Sequence, residues 1–173
     1  MKLLAIDPGN KKSAWVLYDV ETKKIIHKEI GPNENLVPQL SEGALSPKMD
    51  SVLIFDHIAI EYPQPRGQAM YTQLVDTIFW IGKFMQAWGY GWDKIDRKDV
   101  KMVLCGNTKA KDSNIRASLI SRFSAASNLG GGKTPEIGTK SKPGPLYGFS
   151  KDMWAALAVA ITWDEIHEEE FLT

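Results

Sequence analysis

A single cysteine, Cys105, stands in the whole chain. No disulfide can close within it, and the usage fits a reducing cytoplasm. No apolar run approaches the roughly 20 residues of a membrane span, so a membrane role is not expected. No secretory leader is expected either, since charged Lys2 is followed by only four apolar residues before Asp7. His27, His57 and His167 fall singly, with no i, i+4 pair, and receive no ligand role. Internal repeats are absent. Gly130 to Lys133 lacks both the spacing of a phosphate-binding P-loop and the strand that precedes one. Net charge is missing as well, at a formal value of zero. That would argue against a nucleic-acid partner if the charge were evenly spread.

It is not evenly spread. Between Lys94 and Lys151 stand twelve basic residues against four acidic ones. The balancing acids include a cluster near the end, Asp164, Glu165, Glu168, Glu169 and Glu170, so the expectation is a bipolar molecule. The length of 173 residues suits one domain, 1–173, large enough to bury a core.

The chain is organised around Leu3 to Tyr18. An apolar run ends in Asp7, Pro8 and Gly9 turn the chain, and a second apolar run leaves from Ser13. The first run does not alternate, as expected of a central strand covered on both faces. Asp7 then stands at a strand end, where open α/β sheets place ligands. The plainer alternative is that it only opens an Asp-Pro turn. A third strand at Lys24 to Ile30 completes an antiparallel meander. Gly31 to Pro47 reads as a surface connection, with one or two helical turns at Leu36 to Leu40. His57 to Glu61 is a fourth strand, again ending in a carboxylate just before prolines. The three- and four-residue spacing of Met70, Leu74, Ile78, Ile81, Met85 and Trp88 predicts a crossover helix from about Gln68 to Trp88. A parallel strand follows at Trp92 to Ile95. Short helices are expected from Arg97 to Leu104 and from an Asp112 N-cap to Phe123. Ser124 to Tyr147 reads as a mobile basic loop, too polar to pack. A closing helix from about Ser150 to His167 is apolar on several sides and should pack on the sheet. Cys105 reads as a buried small hydrophobe.

Three acids sit where acids are awkward. Asp7 and Glu61 end apolar strands, and Asp152 lies in the first turn of the closing helix, where the helix dipole alone would account for it. Converging on one sheet end, they would repel one another unless a divalent cation neutralised them. Hard oxygen ligands select Mg²⁺ or Mn²⁺. Two such ions could activate a water and stabilise the leaving oxygen of a phosphodiester, with the basic flank holding phosphates.

The hairpin AIDPGNKKSAWVLYD, the strand AIE, the segment RKDVKMVLCGNTKAKDSNIR and the closing DMWAALAVAIT together resemble the RuvC-type Holliday-junction resolvase family, in particular its phage-encoded relatives. The resemblance implies a ribonuclease H-like fold: a mixed sheet with an antiparallel three-stranded start, extended by parallel strands, with helices on both faces. It further implies a homodimer that cuts four-way junctions and related branched DNA with Mg²⁺. Asp7, Glu61 and Asp152 fall on the family's metal-binding acids, and Asp7, on the central strand, is the one expected to bridge both ions. Lys101 coincides with a family basic residue near the catalytic site, and Lys111 is offset by one. Arg66, Lys109, Arg116 and the loop lysines Lys133, Lys140 and Lys142 complete the expected DNA contacts. The chain departs from the family in two places. A further acid expected one turn after Asp152 is Ala155. The family's base-stacking aromatic has Gln64, Pro65 and Arg66 in its region, with Tyr62 or Tyr71 as substitutes. A binding module without turnover, and a ribonuclease H-like enzyme acting on RNA or hybrid duplexes, remain the rival readings.

Overall fold

The computed structural model describes residues 1–48, 51–63 and 71–171. Lys2–Asp7 (β1) and Lys12–Asp19 (β2) form the expected hairpin, and Lys24–Pro32 (β3) extends the meander. Asn33–Glu42 (α1) leads to a small hairpin, Ala44–Lys48 (β4) with Ser51–Ile54 (β5). His57–Tyr62 (β6) then pairs parallel with β1. Thr72–Trp88 (α2) crosses over to Trp92–Asp96 (β7), which pairs parallel with β6. Arg97–Cys105 (α3), Asp112–Arg122 (α4) and Lys151–Phe171 (α5) follow. The main sheet runs β3-β2-β1-β6-β7, so β1 is central, as its unbroken apolar run requires. No helix among the described residues is long and apolar enough to cross a membrane.

The pleat sorts the sheet's side chains into two cores. Leu3, Ala5, Ala14, Val16 and Ala59 face one layer with α3, α4 and α5, whereas Leu4, Ile6, Trp15, Ile58 and Ile60 face the other with α1 and α2. Helices therefore cover both faces. Continuing the alternation, Asp7 and Glu61 stand in phase with Ala5 and Ala59 and share the α5 face. On α5, every residue from Ala156 to Asp164 is buried. Its alanines let the helix backbone approach the sheet closely.

Several expectations need correction. The stretch after β3 is a core helix, not a surface connection: Leu36 and Leu40 are fully buried against the sheet. Pro38 inside α1 and the surrounding Gly and Pro residues disguise it. Leu36→Ala should cost about 2–5 kcal/mol of stability, the usual range for a buried leucine, in urea unfolding. A loss below about 1 kcal/mol would place α1 outside the core.

The Ser124 to Tyr147 stretch also packs. Its backbone closes on itself, with Gly131 N–H donating to Lys142 O (2.9 Å), Gly144 N–H to Ile137 O (2.9 Å) and Leu146 N–H to Glu136 O (2.8 Å). Leu146 is fully buried. The crossing is so tight that a Cβ on Gly130 would fall 2.5 Å from the Gly138 Cα. Cys105 is half-buried rather than buried. Asp112 is the first residue of α4, one past the cap. The start of the predicted crossover helix, Gln68 to Met70, lies outside the described residues, as do Gln64, Pro65 and Arg66.

Among the described acids near the end, Asp164 and Glu165 are paired rather than open. Asp164 is buried, accepting a hydrogen bond from the Tyr18 hydroxyl (3.1 Å) and pairing with Lys23 Nζ (2.8 Å), while Glu165 pairs with Arg122. His57 and His167 meet across Asp93, whose Oδ2 lies 2.9 Å from His57 Nε2 and 3.7 Å from His167 Nε2. Trp163 Nε1 donates to the same oxygen, tying β7 to α5 at the sheet end opposite Asp7.

Candidate metal and nucleic-acid site

Asp7 reaches the end of β1 because the turn after it is tightly built. A Cβ on Gly9 would lie 2.2 Å from the Lys12 carbonyl oxygen, so only glycine passes there. Asn33, fully buried at the start of α1, donates from Nδ2 to Gly9 O (2.9 Å) and accepts from Ser13 Oγ (2.7 Å). These two polar side chains brace the turn from below, and the sequence marks neither as important.

Ile6 of β1 is the register partner of Ile60, which sets Glu61 at the next step beside Asp7. α5 begins at the same sheet end and delivers Asp152 from its first turn. The three carboxylates line one cavity of about 660 Å³, together with Arg97, Asp112, Arg116, Lys151, Trp154 and Ala155. Burial, reinforced by the charges of Glu61 and Asp152, pushes the Asp7 carboxyl up to about 8, with Arg97 opposing the shift. A buried carboxylate beside two others is short of positive charge.

Part of that charge comes from Arg97, which opens α3. Its Nη1 lies 3.4 Å from Glu61 Oε2 and its Nη2 2.6 Å from Asp112 Oδ1. Burial alone would lower the Arg97 guanidinium's pKa, but Glu61, Asp112 and Asp7 outweigh it and hold it above its usual value. In the sequence Arg97 is one of twelve basic residues between Lys94 and Lys151, with nothing to single it out. What exposes it is the register: Glu61 partners Ile95 across β6 and β7, so Arg97 follows two residues on, on the same face. Among the described residues, no three histidine, cysteine or acidic side chains are grouped closely enough to ligate one ion as they stand.

The remaining expected contacts divide. Arg116 lines the cavity with its guanidinium 5.0 Å from the Trp154 ring centre. Lys151, not singled out from the sequence, lines it too. Lys101 is half-buried on α3 and is not part of the cavity lining. Lys109 and Lys111 are exposed in the turn before α4, and Lys133, Lys140 and Lys142 are exposed on the packed loop. Of the two aromatic substitutes, Tyr62 carries Lys94 Nζ 4.2 Å above its ring, and Tyr71 is exposed ahead of α2. Ala155 faces the cavity, but Ala156 does not: it is fully buried in the core. The two positions one turn after Asp152 thus part company, because the sheet takes the second.

No known family profile matches the chain, and no curated protein does. Solved structures are similar to it. Thermus thermophilus RuvC in complex with a Holliday junction substrate superposes with a TM-score of 0.59 at 17% identity, over 94% of this chain and 92% of that one. A second Thermus thermophilus RuvC structure gives 0.59 at 16%, over the same shares of 94% and 92%. Fowlpox virus resolvase, in complex with Holliday junction DNA, gives 0.50 at 16%, over 96% and 98%. At such identities the likeness establishes the fold, the ribonuclease H-like one of these resolvases.

Proposed function

We propose that this chain is a divalent-metal-dependent endodeoxyribonuclease that cuts four-way junctions and related branched DNA. The observation that carries the reading is the convergence of Asp7, Glu61 and Asp152, from three separate elements, on one cavity rimmed by Arg97, Arg116 and Lys151. The fold is that of resolvases solved with Holliday junctions, over almost the full length of both chains.

The donor set fits Mg²⁺ or Mn²⁺: its candidate ligands are carboxylate oxygens, and the Asp7 carboxyl among them is raised by burial first and by the Glu61 and Asp152 charges second. Asp7, Glu61 and Asp152 would hold the ion, which when bound would polarise a phosphodiester and lower the pKa of a water. The chain's own side chains do the rest. Arg116 and Lys151 draw a phosphate backbone to the cavity mouth, and the Trp154 ring fixes the plane of the Arg116 guanidinium. Lys101, Lys109 and Lys111 extend the basic track along α3 and the turn beyond. Lys133, Lys140 and Lys142 grip the flanking duplex from a loop closed by its own backbone hydrogen bonds. Replacing those three by alanine should lower the slope of log K against log salt by about 0.9 for each phosphate that is no longer neutralised. An unchanged slope would mean the loop does not touch DNA.

A four-way junction needs two cuts, so this reading includes a homodimer. α2 offers a face for it: Val75 and Phe79 are 46% and 57% exposed. Asp76 and Lys83 lie two turns apart on one side, where a two-fold axis between them would pair each with the other in the second copy. The single half-buried Cys105 suits action in the cytoplasm.

Ala155 in the cavity lining favours a second reading, a junction-binding module without turnover. Incubating the protein with four-way junction, fork, plain duplex and RNA–DNA hybrid, each with EDTA, Mg²⁺ or Mn²⁺, decides. Metal-dependent cutting of the junction ahead of the duplex is the expected result. Junction binding without cutting in any metal would install the second reading, and preferred cutting of the hybrid would make the chain a ribonuclease.

A further inference from the structure

We propose that Arg97 is a built-in cation of this site, standing beside Glu61 where a second metal ion would otherwise be needed, so that the cavity takes one divalent ion per chain rather than two. The inference rests on reading Asp7, Glu61 and Asp152 as the cation site. It replaces the two-ion expectation drawn from the sequence.

Arginine is the residue type for such a role, because its guanidinium stays charged in proteins and its planar fork can hold two carboxylates at once. The fork is so used here, spanning Glu61 and Asp112 with a side chain only 21% exposed. Its charge also reaches Asp7. Asp112 lies at the cavity rim, 71% exposed, and its charge is committed to the other arm of the fork. The lining as a whole sets four carboxylates, Asp7, Glu61, Asp112 and Asp152, against three cations, Arg97, Arg116 and Lys151, a balance that favours one divalent ion over two. Ala155, facing the same cavity one turn after Asp152, adds no further carboxylate to hold another. The alanine where the resemblance leads one to expect an acid and the arginine on the strand-end glutamate thus bear on the same charge balance. A guanidinium serving only to clamp α4 to β6 would affect stability and leave ion binding alone.

Counting bound Mn²⁺ on the full chain without DNA, by loss of the free-ion paramagnetic resonance signal and by calorimetry, separates the two. The native protein should bind one Mn²⁺ per chain. Arg97→Gln should bind it about tenfold more tightly, because a like charge has left the site. Arg97→Lys, which keeps the charge, should bind as the native chain does. The double variant Arg97→Gln with Ala155→Asp should take two ions. Asp112→Asn, a rim change that should leave the fold intact, releases the fork wholly to Glu61 and should weaken Mn²⁺ several-fold. Two ions on the native chain would overturn the proposal. So would unaltered Mn²⁺ affinity in both Arg97→Gln and Asp112→Asn. Asp7→Asn keeps the failures distinct: if it loses Mn²⁺ while the Arg97 and Asp112 variants bind as native, only the role of Arg97 falls. If it binds Mn²⁺ like the native chain, the site reading falls and takes this inference with it.

Discussion

Asp7→Asn is expected to cut four-way junctions more slowly than the native chain by about 10²–10³-fold or more, the usual cost of losing a preorganised charge at a reacting centre. The substitution preserves shape, so the turn braced by Asn33 and Ser13 should survive it. Junction affinity should hold or rise, since one negative charge near the phosphates has gone. Single-turnover cleavage on denaturing gels gives the rate, and gel shifts in Ca²⁺ give the affinity. Cleavage within about threefold of the native rate would remove Asp7 from the mechanism.

The same carboxyl should make the metal-free protein sensitive to pH. In the folded chain Asp7 is raised from an ordinary 3.8 to about 8. Between those values the folded state holds a proton that the unfolded state has released, so stability falls as pH rises. The contribution is complete below about pH 4 and is lost as pH passes through about 8. From pH 6 to pH 9 in EDTA the loss should be on the order of 3 kcal/mol, or about 6–12 °C in melting temperature. Asp7→Asn should lack this component and melt above the native protein at pH 9. Mg²⁺ or Mn²⁺ should restore the native chain at high pH, because a cation bound only by the ionised folded site stabilises it by mass action. A native melting curve that follows the Asp7→Asn curve across this range would show that Asp7 is not held under charge.

How much could be read beforehand depended on whether the signal was local. The unbroken apolar run of β1 placed it at the centre of the sheet, and Asp7, Glu61 and Asp152 stood out because charge at the end of an apolar element is unusual wherever it occurs. The pleat then brought them together, since Asp7 and Glu61 continue the phase of Ala5 and Ala59 on the α5 face. Arg97 was not legible in this way. A lone arginine after a strand is commonplace, and only the register of β6 on β7 puts it beside Glu61. Lys101 shows the converse, since matching a family position in sequence did not bring it into the cavity lining. α1 was hidden because Pro38 breaks the pattern without breaking the helix. The loop from Ser124 to Tyr147 looked too polar to pack because its order comes from backbone hydrogen bonds, which leave little trace in side-chain identity. Asp164 and Glu165 looked free because their partners, Lys23 and Arg122, lie more than 40 residues away in the chain.

The central claim is that one cavity, walled by Asp7, Glu61 and Asp152, holds the divalent cation that cutting requires. Anomalous diffraction from crystals soaked in Mn²⁺, at a concentration that supports junction cleavage, tests it most directly. The account predicts one anomalous peak per chain, within ligand distance of oxygens from Asp7, Glu61 and Asp152. A cavity without a peak under conditions in which the same protein cuts DNA would contradict it.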